Sequence, residues 1–387
     1  MMKKLVILSE ESIFSGILKS GVAEVVDTLA NSLTSNYEVS IICPNGGGTI
    51  PFLFQDVYQY NEYTQYTQFS QVHYYMIDQD SFYDNAKNLL KTIEMDIFHN
   101  FSTFGDLINY IPEGVKALLT YDNYKIYLGT DEVLNKYDYI VAPSDNYLVE
   151  TLESNSDLGE YLRMHPSKVL AITHGISETL FNPKEGVLTL TGYSSDYQEG
   201  KKMCKRQLLQ SYGLKDAPCI YLMMCRLVKD KNIEAVIEAL PEIKKNNGVV
   251  VVVGQGDNYY KQLLEEYKLE DGLFFLKRPA SPANAPALLA AADFYLSPSL
   301  YEPCGLMPMT AAIYGAIPVV SQVGGLQDNF NDDNAIVIKD SLKNTIQQIA
   351  DLYNDKDALF QKRKTCMEQT HFYWKDRKLK YIELYEG

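Results

Sequence analysis

Short, almost wholly apolar runs recur along this chain of 387 residues, and helical patterns separate them. Runs without polar alternation are typical of strands that are buried on both faces of a parallel sheet, with helices covering those faces. Because the runs form two series and the length exceeds one typical core, the sequence predicts two doubly wound α/β domains. The predicted strands are 5–8, 39–43, 96–101, 115–120, 139–143 and 169–172 in the first series, and 219–225, 249–253, 273–276, 294–297, 317–321 and 335–338 in the second.

The boundary between the two predicted domains lies near residues 174–184, where Gly and Pro interrupt the pattern. We expect a first domain over residues 1–172 and a second over 173–371. Residues 45–80 lack a clear periodicity and favour loops or short hairpins. A helical, amphipathic pattern occupies residues 372–387. The apolar side of that helix is predicted to consist of Trp374, Leu379, Ile382 and Leu384.

The charge of the chain limits its partners. A net charge of −15, with no local block of Lys or Arg, disfavours nucleic acid and anionic membranes. No run approaches the ~20 apolar residues of a membrane helix, and the N-terminal run ends after Leu8 in Ser-Glu-Glu, which indicates a first strand rather than a signal peptide. The six cysteines lack metal-ligand spacing and several lie in apolar runs. The sequence therefore predicts a cytoplasmic protein with reduced thiols and no metal site.

One segment, residues 297–328, combines features suited to a sugar phosphate. Its pattern predicts a strand end, a turn carrying Glu302, a helix, a buried strand, and a loop with the pair Gly324 and Gly325. Carboxylates accept hydrogen bonds from hydroxyls, and helix N-termini favour anions. The segment therefore suits a ligand with sugar hydroxyls at one end and phosphate at the other. An ordinary α/β unit with a Pro-bearing turn is the alternative interpretation.

A second segment places two cations at a strand end. The apolar run 219–225 continues directly into Arg226, and Lys231 follows just before a helical pattern. Cations at the carboxyl end of a parallel strand, beside a helix N-terminus, can clamp a diphosphate, and ligands bind at that edge of open sheets. Solvated surface charge is the competing interpretation, but the strand-to-helix position of both residues favours a function.

Two glycine-bearing segments give weaker indications. The predicted strand 249–253 leads into Gly254 and Gly256, which permit either a close ligand approach or a plain turn. After the first predicted strand, Lys19 and Gly21 precede a helical pattern whose first amides could bind phosphate or simply begin a helix. Neither segment decides between these interpretations.

Several segments together resemble bacterial glycogen and starch synthases, in matching order. They are GVAEVV, YSSDYQEGKKMCKRQLLQSYGL, CRLVKDK, EPCGL after LSPS, GAIPVV, VGGLQD, and the late FYW with YIELY. The resemblance implies a GT-B fold: two doubly wound, Rossmann-like domains facing a deep cleft, with the C-terminal helix crossing back to the first domain. It also implies retaining, metal-independent transfer of glucose from ADP-glucose or UDP-glucose to an acceptor glycan, most often the end of an α-1,4-glucan. The nucleotide sugar is then a substrate, and no cofactor is implied.

The same resemblance implies roles for individual residues. Arg226 and Lys231 would hold the diphosphate and stabilise negative charge on the departing nucleotide. Glu302 would hold hydroxyls of the donor sugar. The remaining donor-side residues would be Lys19, Gly21, Gly254, Gly256, Cys304, Gly305, Leu306, Gly324 and Gly325, and the acceptor-side residues would be His99, Asp122 and Asn123.

Departures from the family pattern leave two alternatives. Asp122 and Asn123 occupy the place of the family's His-Asn pair, and the first domain is shorter than in typical synthases. One alternative is a transferase for another glycan, such as a capsule or glycoprotein sugar. The other is a catalytically inactive GT-B subunit that binds a protein partner.

Overall fold

The computed structural model describes residues 2–17, 20–47, 54–68, 71–186, 189–211, 219–267, 269–279 and 284–387. It divides the chain into two compact units. Unit 1 comprises Met1–Gly175 and Tyr373–Gly387, and unit 2 comprises Ile176–Phe372. The C-terminal segment therefore belongs with the N-terminal part of the chain.

Unit 1 is a twisted sheet covered by helices. Its strands are β1 (Lys3–Leu8), β2 (Tyr37–Asn45), β3 (Phe54–Gln59), β4 (Thr64–Gln68), β5 (His73–Asp78), β6 (Ile97–Asn100), β7 (Lys116–Thr120), β8 (Tyr139–Ala142) and β9 (Val169–Ala171). Its α-helices are α1 (Val22–Leu33), α2 (Phe82–Leu90), α3 (Asp131–Leu134), α4 (Asp145–Glu153), α5 (Asp157–Met164) and, at the C-terminus, α14 (Trp374–Glu386).

The sheet of unit 1 is parallel except at one edge. In the part that the structure describes, its strand order is β3-β4-β5-β2-β1-β6-β7-β8-β9, and only the β3/β4 and β4/β5 pairs are antiparallel. The hairpin of β3 and β4 lies within residues 45–80, where the sequence predicts loops or short hairpins. The order reverses at β1, which pairs with β2 on one side and β6 on the other. Loops that follow β1 and β6 therefore leave the sheet at a switch point.

The C-terminal helix buries Trp374, as predicted, but leaves Leu379 of the predicted apolar side exposed. Trp374, Tyr381 and Tyr385 are buried, whereas Leu379 is 53% exposed. The buried residues are seven and four positions apart, so they form one stripe along the helix. The Trp374 indole donates to Thr28 Oγ1 over 2.7 Å, and Tyr385 OH lies 2.7 Å from His99 Nδ1. The apolar pattern missed Tyr381 and Tyr385 because these aromatic residues carry polar hydroxyl groups.

Unit 2 is a parallel sheet with helices on both faces. Its strands are β10 (Cys219–Leu227), β11 (Gly248–Gly256), β12 (Leu273–Leu276), β13 (Phe294–Ser297), β14 (Ile317–Val320) and β15 (Ile336–Val337). Its α-helices are α6 (Glu199–Ser211), α7 (Ile233–Lys245), α8 (Asn258–Glu265), α9 (Ala285–Ala291), α10 (Leu306–Ile313), α11 (Gly324–Asn329), α12 (Leu342–Asn354) and α13 (Lys356–Met367).

The strand order of unit 2 fixes where a ligand can bind. Among the described residues the order is β12-β11-β10-β13-β14-β15, with every pair parallel. Counted within the unit this is 3-2-1-4-5-6, the order of dinucleotide-binding domains. The switch point lies between β10 and β13, whose following helices turn to opposite faces of the sheet. In open α/β sheets, ligands bind at the carboxyl ends of the strands at such a point.

Candidate functional site

Both polar segments singled out in the sequence lie at the switch point of unit 2. Arg226 is the penultimate residue of strand β10, and Lys231 ends a short 3₁₀ turn that leads into α7. Glu302 lies in the turn between β13 and α10. Because β10 and β13 are adjacent, residues 71 positions apart in the sequence meet at one edge of the sheet.

Backbone and amide contacts join the two loops. The Leu300 amide donates to the Asp230 carbonyl over 2.8 Å, and Asn232 Nδ2 donates to the Pro298 carbonyl over 3.1 Å. Asn232 adopts the left-handed conformation, with φ 53° and ψ 52°, where Asn is one of the few residues tolerated. This residue was not predicted from the sequence, although an Asn between Lys231 and a helical pattern is a detectable signal for such a bend.

Lys231 and Glu302 form an ion pair. Lys231 Nζ lies 2.6 Å from Glu302 Oε2, and the two side chains are 15% and 14% exposed. The Ser299 hydroxyl also donates to Oε2, over 3.3 Å. No described residue donates to Glu302 Oε1, so that oxygen can accept from a ligand hydroxyl. Arg226 is exposed, and among the residues described no carboxylate pairs with its guanidinium.

The turn that carries Glu302 ends in a helix N-terminus. Gly305 has φ +88°, which favours glycine, and α10 begins at the next residue, Leu306. The first amides of a helix have no partner within the helix and attract anions. The Glu302 carboxylate and the N-terminus of α10 therefore lie at the two ends of one short turn.

Helix α11 is hydrogen-bonded to this turn. The sequence predicts a loop at Gly324 and Gly325, but the structure places both in the first turn of α11. The Gly325 amide donates to the Glu302 carbonyl over 2.9 Å, and Asn329 Nδ2 donates to the Cys304 carbonyl over 2.9 Å. The prediction of a loop was wrong because glycines with close backbone neighbours can begin a helix as readily as a turn.

Substitution of Gly325 by Ala is expected to disturb the site directly. A Cβ atom there would lie 2.4 Å from both the Cα and the carbonyl oxygen of Cys304, atoms that cannot move aside without shifting the turn. We expect Gly325→Ala to lower the free energy of unfolding by about 1–3 kcal/mol, as overpacking does. Urea unfolding measures this. The matched control is Gly387→Ala, where the nearest atom is 3.3 Å away, and equal stability of the two variants would contradict the packing described.

Gly254 and Gly256 have a packing explanation. A Cβ atom on Gly254 would lie 2.4 Å from the Cys225 carbonyl oxygen, and one on Gly256 would lie 2.4 Å from that of Leu227. These glycines therefore let the end of β11 approach β10 closely. A donor-binding role for them stays a prediction.

In unit 1, the loop after β1 carries Gly21 at the N-cap of α1. Lys19 lies outside the described residues. The Ser20 amide already donates to Glu11 Oε2 over 2.7 Å, so a carboxylate of the chain itself lies beside this helix terminus. Glu10 joins the loop to the one after β6, because its Oε2 accepts from the amide of Thr103 over 2.7 Å.

His99 lies in the middle of the sheet of unit 1. It is completely buried on β6, with Nδ1 2.7 Å from Tyr385 OH and Nε2 2.7 Å from Thr120 Oγ1. Burial, and to a lesser extent the neighbouring His174, lowers the pKa of His99 well below its ordinary value. Both nitrogens of the neutral His99 ring are therefore hydrogen-bonded to residues of unit 1. The acceptor-side role of His99 stays a prediction.

Asp122 and Asn123 follow β7 and are half-buried. The Asp122 carbonyl accepts from Tyr147 OH over 2.8 Å, and Asn123 Oδ1 accepts from the Lys125 amide over 3.0 Å. These contacts fix the loop. They leave the predicted acceptor-side role of both residues untested.

Other site chemistries find no support in the described part of the chain. Burial raises the pKa of the Cys225 thiol, next to the ion pair, to about 12, so this thiol is protonated at neutral pH. Within the described ranges, no three His, Cys, Asp or Glu side chains are grouped as metal ligands. No helix in those ranges combines the length and apolarity that a membrane span requires.

Part of unit 2 is similar to a known protein family. Residues 205–371 match the family described as Glycosyl transferases group 1. These residues form most of unit 2, which is therefore similar to that family.

Among curated proteins, the chain is similar to glycogen synthases. It is 29% identical over 260 residues to the glycogen synthase of Thermodesulfovibrio yellowstonii, covering 65% of this chain and 52% of that protein. It is 31% identical over 252 residues to that of Myxococcus xanthus, covering 60% of this chain and 51% of that protein. The chain thus spans about half the length of the curated relatives it matches.

Solved structures show the fold. The catalytic domain of starch synthase IV from Arabidopsis thaliana, bound to ADP and acarbose, matches with a TM-score of 0.87 at 19% identity, over 100% of this chain and 99% of that one. Anabaena HepE in complex with UDP and glucose matches with a TM-score of 0.68 at 13% identity, over the whole of both chains. The predicted GT-B fold with two Rossmann-like domains is confirmed.

Proposed function

We propose that this protein transfers glucose from a nucleoside-diphosphate glucose to a glycan, with retention of configuration and without a metal ion. By similarity, the proposed acceptor is an α-1,4-glucan, which is extended. The observation that carries the proposal is the Lys231–Glu302 pair beside Arg226 at the switch point of unit 2. Two cations suit the diphosphate of a sugar nucleotide, and a carboxylate suits its sugar hydroxyls. Both lie at the edge where such sheets bind ligands.

Each element has a role in the proposed reaction. Arg226 and Lys231 hold the diphosphate and stabilise the negative charge that develops on it as the bond to the sugar breaks. The N-terminus of α10 adds a favourable potential for the same phosphate. Glu302 accepts from sugar hydroxyls and, by its ion pair, fixes the position of Lys231. These two cations supply positive charge that a metal ion supplies in other transferases.

Retention is accounted for by substitution on one face of the sugar. The bond between the sugar C1 and the diphosphate oxygen breaks, and the bond between C1 and the acceptor oxygen forms on the same face. The acceptor hydroxyl proton passes to the departing phosphate oxygen. No carboxylate nucleophile is required in this sequence, and Glu302, which is paired with Lys231, is not assigned that role.

Similarity supports the substrate class. The relatives are named glycogen synthases, and the structural neighbours hold ADP or UDP. A cytoplasmic location is proposed on the same basis, together with six cysteines that form no disulfide.

A panel of donors and acceptors tests the proposed function. The protein is incubated with ADP-glucose or UDP-glucose and maltooligosaccharides, with and without EDTA, and the released nucleotide and the chain lengths are measured. Longer chains with either donor, unchanged by EDTA, support the proposal. Transfer only to a different glycan favours a capsule or glycoprotein transferase. Binding of the sugar nucleotide without transfer to any acceptor favours the inactive partner subunit.

A further inference from the structure

The turn that carries Lys231 is hydrogen-bonded, on both sides of that residue, to the loop after β13. Before Lys231, the Asp230 carbonyl accepts from the Leu300 amide over 2.8 Å. After it, Asn232 Nδ2 donates to the Pro298 carbonyl over 3.1 Å. The two ends of the turn are therefore fixed against the neighbouring loop, one by a main-chain bond and the other by a side-chain bond.

The contacts of the Glu302 carboxylate lie between these two bonds. Ser299, the residue between Pro298 and Leu300, is 2% exposed. Its hydroxyl donates to Glu302 Oε2 over 3.3 Å, and Lys231 Nζ lies 2.6 Å from the same oxygen. A shift of one loop past the other would therefore move the ammonium group away from the carboxylate that orients it.

Asn232 differs from an ordinary residue at the start of a helix. Asn is favoured at the N-cap because its side-chain oxygen accepts from the first helix amides, and the N-cap backbone is usually extended. Asn232 is the N-cap of α7, but its backbone is left-handed and, among the described residues, its side chain accepts from no helix amide. The amide group instead donates to Pro298, which only its NH₂ end can do. Helix capping therefore does not explain this side chain, whereas the bond between the two loops does.

We propose that Asn232 is a positioning residue for glucosyl transfer, and that its bond to Pro298 holds Lys231 in line with the departing diphosphate. This inference rests on the proposed function, in which Lys231 stabilises that diphosphate. Asn232 acts through Lys231, and no contact with the substrate is assigned to it. A displacement of about 1 Å can lower a rate about 10²-fold, because stabilisation depends on alignment with the developing charge.

The variant Asn232→Gly isolates the side-chain bond. Glycine adopts a left-handed backbone without steric cost, so this variant keeps the bend before α7 and loses the donor to Pro298. We expect kcat to fall about tenfold, with KM for the donor within about twofold of the wild type, because Arg226 still binds the diphosphate before the bond breaks. Initial rates of nucleotide release from ADP-glucose and from UDP-glucose, with maltohexaose as the acceptor, measure both constants on the full chain.

The matched control is Asn247→Gly, just beyond the other end of α7. Asn247 also has a left-handed backbone, with φ 54° against 53° for Asn232, and it is exposed. The same substitution there frees the backbone of the unfolded chain to the same extent, without touching the two loops. Asn247→Gly should therefore keep kcat and KM within about twofold of the wild type. Circular dichroism checks that both variants are folded at the assay temperature.

A double variant separates positioning from a general loss of stability. In a Lys231→Ala background no ammonium group remains to be misplaced, so adding Asn232→Gly should leave kcat/KM within about twofold of Lys231→Ala alone. A further loss of about tenfold in the double variant overturns the inference. So does a kcat of Asn232→Gly equal to that of Asn247→Gly, or a loss that falls on KM alone. Each of these results leaves the proposed function standing, whereas a wild type that transfers no glucose overturns both.

Discussion

Lys231→Ala is expected to lower kcat/KM for glucosyl transfer about 10³-fold, because removal of a single group that stabilises transition-state charge has effects of this size. The ammonium group lies 2.6 Å from Glu302 in a site where both side chains are largely buried, so water screens its charge weakly. Its loss also leaves the Glu302 carboxylate without its cation. Initial rates of nucleotide release, at several donor concentrations, measure the effect.

The chain offers a matched control for this variant. Lys229 lies two residues earlier in the same loop, is exposed, and is at the start of the 3₁₀ turn that Lys231 ends. Lys229→Ala should keep kcat/KM within a few fold of the wild type, because an exposed charge is screened by solvent. Equal rates for the two variants, with intact folding by circular dichroism, would contradict the assignment of Lys231 to the diphosphate.

Asp293→Ala is expected to lower the free energy of unfolding by about 3–5 kcal/mol, the range found when one partner of a buried ion pair is removed. Asp293 is 5% exposed, immediately before β13. Its carboxylate lies 2.5 Å from Lys205 Nζ and 3.2 Å from Arg363 Nη2, and it accepts from the Ile220 amide over 2.9 Å. The variant would leave two cations and an amide buried without their acceptor.

Guanidinium unfolding of unit 2 within the full chain measures this effect, with Asp332→Ala as the control. Asp332 pairs with Lys339 over 2.9 Å, but the two side chains are 60% and 68% exposed. Exposed pairs contribute about 0–1 kcal/mol. A loss from Asp293→Ala no greater than that from Asp332→Ala would show that the buried network does not stabilise the fold as described.

The sequence predicts the elements of unit 2 well because its strands are near-continuous apolar runs. The predicted strand 219–225 is observed as β10, Cys219–Leu227, and the predicted strand 294–297 is observed with the same bounds. Local pattern also placed Arg226 and Lys231 at the end of a strand. Strand order is not a local property, however, so the contact between Lys231 and Glu302, 71 residues apart, became visible only in the folded sheet.

Long-range packing explains what local pattern missed. The surroundings of His99 depend on Tyr385, 286 residues away, and a His in an apolar run gives no sign of that partner. The hydrogen bonds of Asp27 also depend on distant residues, because its donors Ile13 and Tyr74 lie in a loop and a strand that are far apart in the sequence. The roles of the donor-side and acceptor-side residues stay predictions, because a role depends on how the substrate contacts each residue.

The configuration of the transferred sugar tests the central claim most directly. A reaction started with ADP-glucose, or with UDP-glucose, and maltohexaose is followed by proton NMR at the anomeric position of the new terminal residue. We predict a new α-linked glucose at the chain end, formed as nucleoside diphosphate is released, and its absence in Lys231→Ala over the same time. A β-linked product, or release of free glucose without chain extension, would contradict retaining transfer to a glucan by this site.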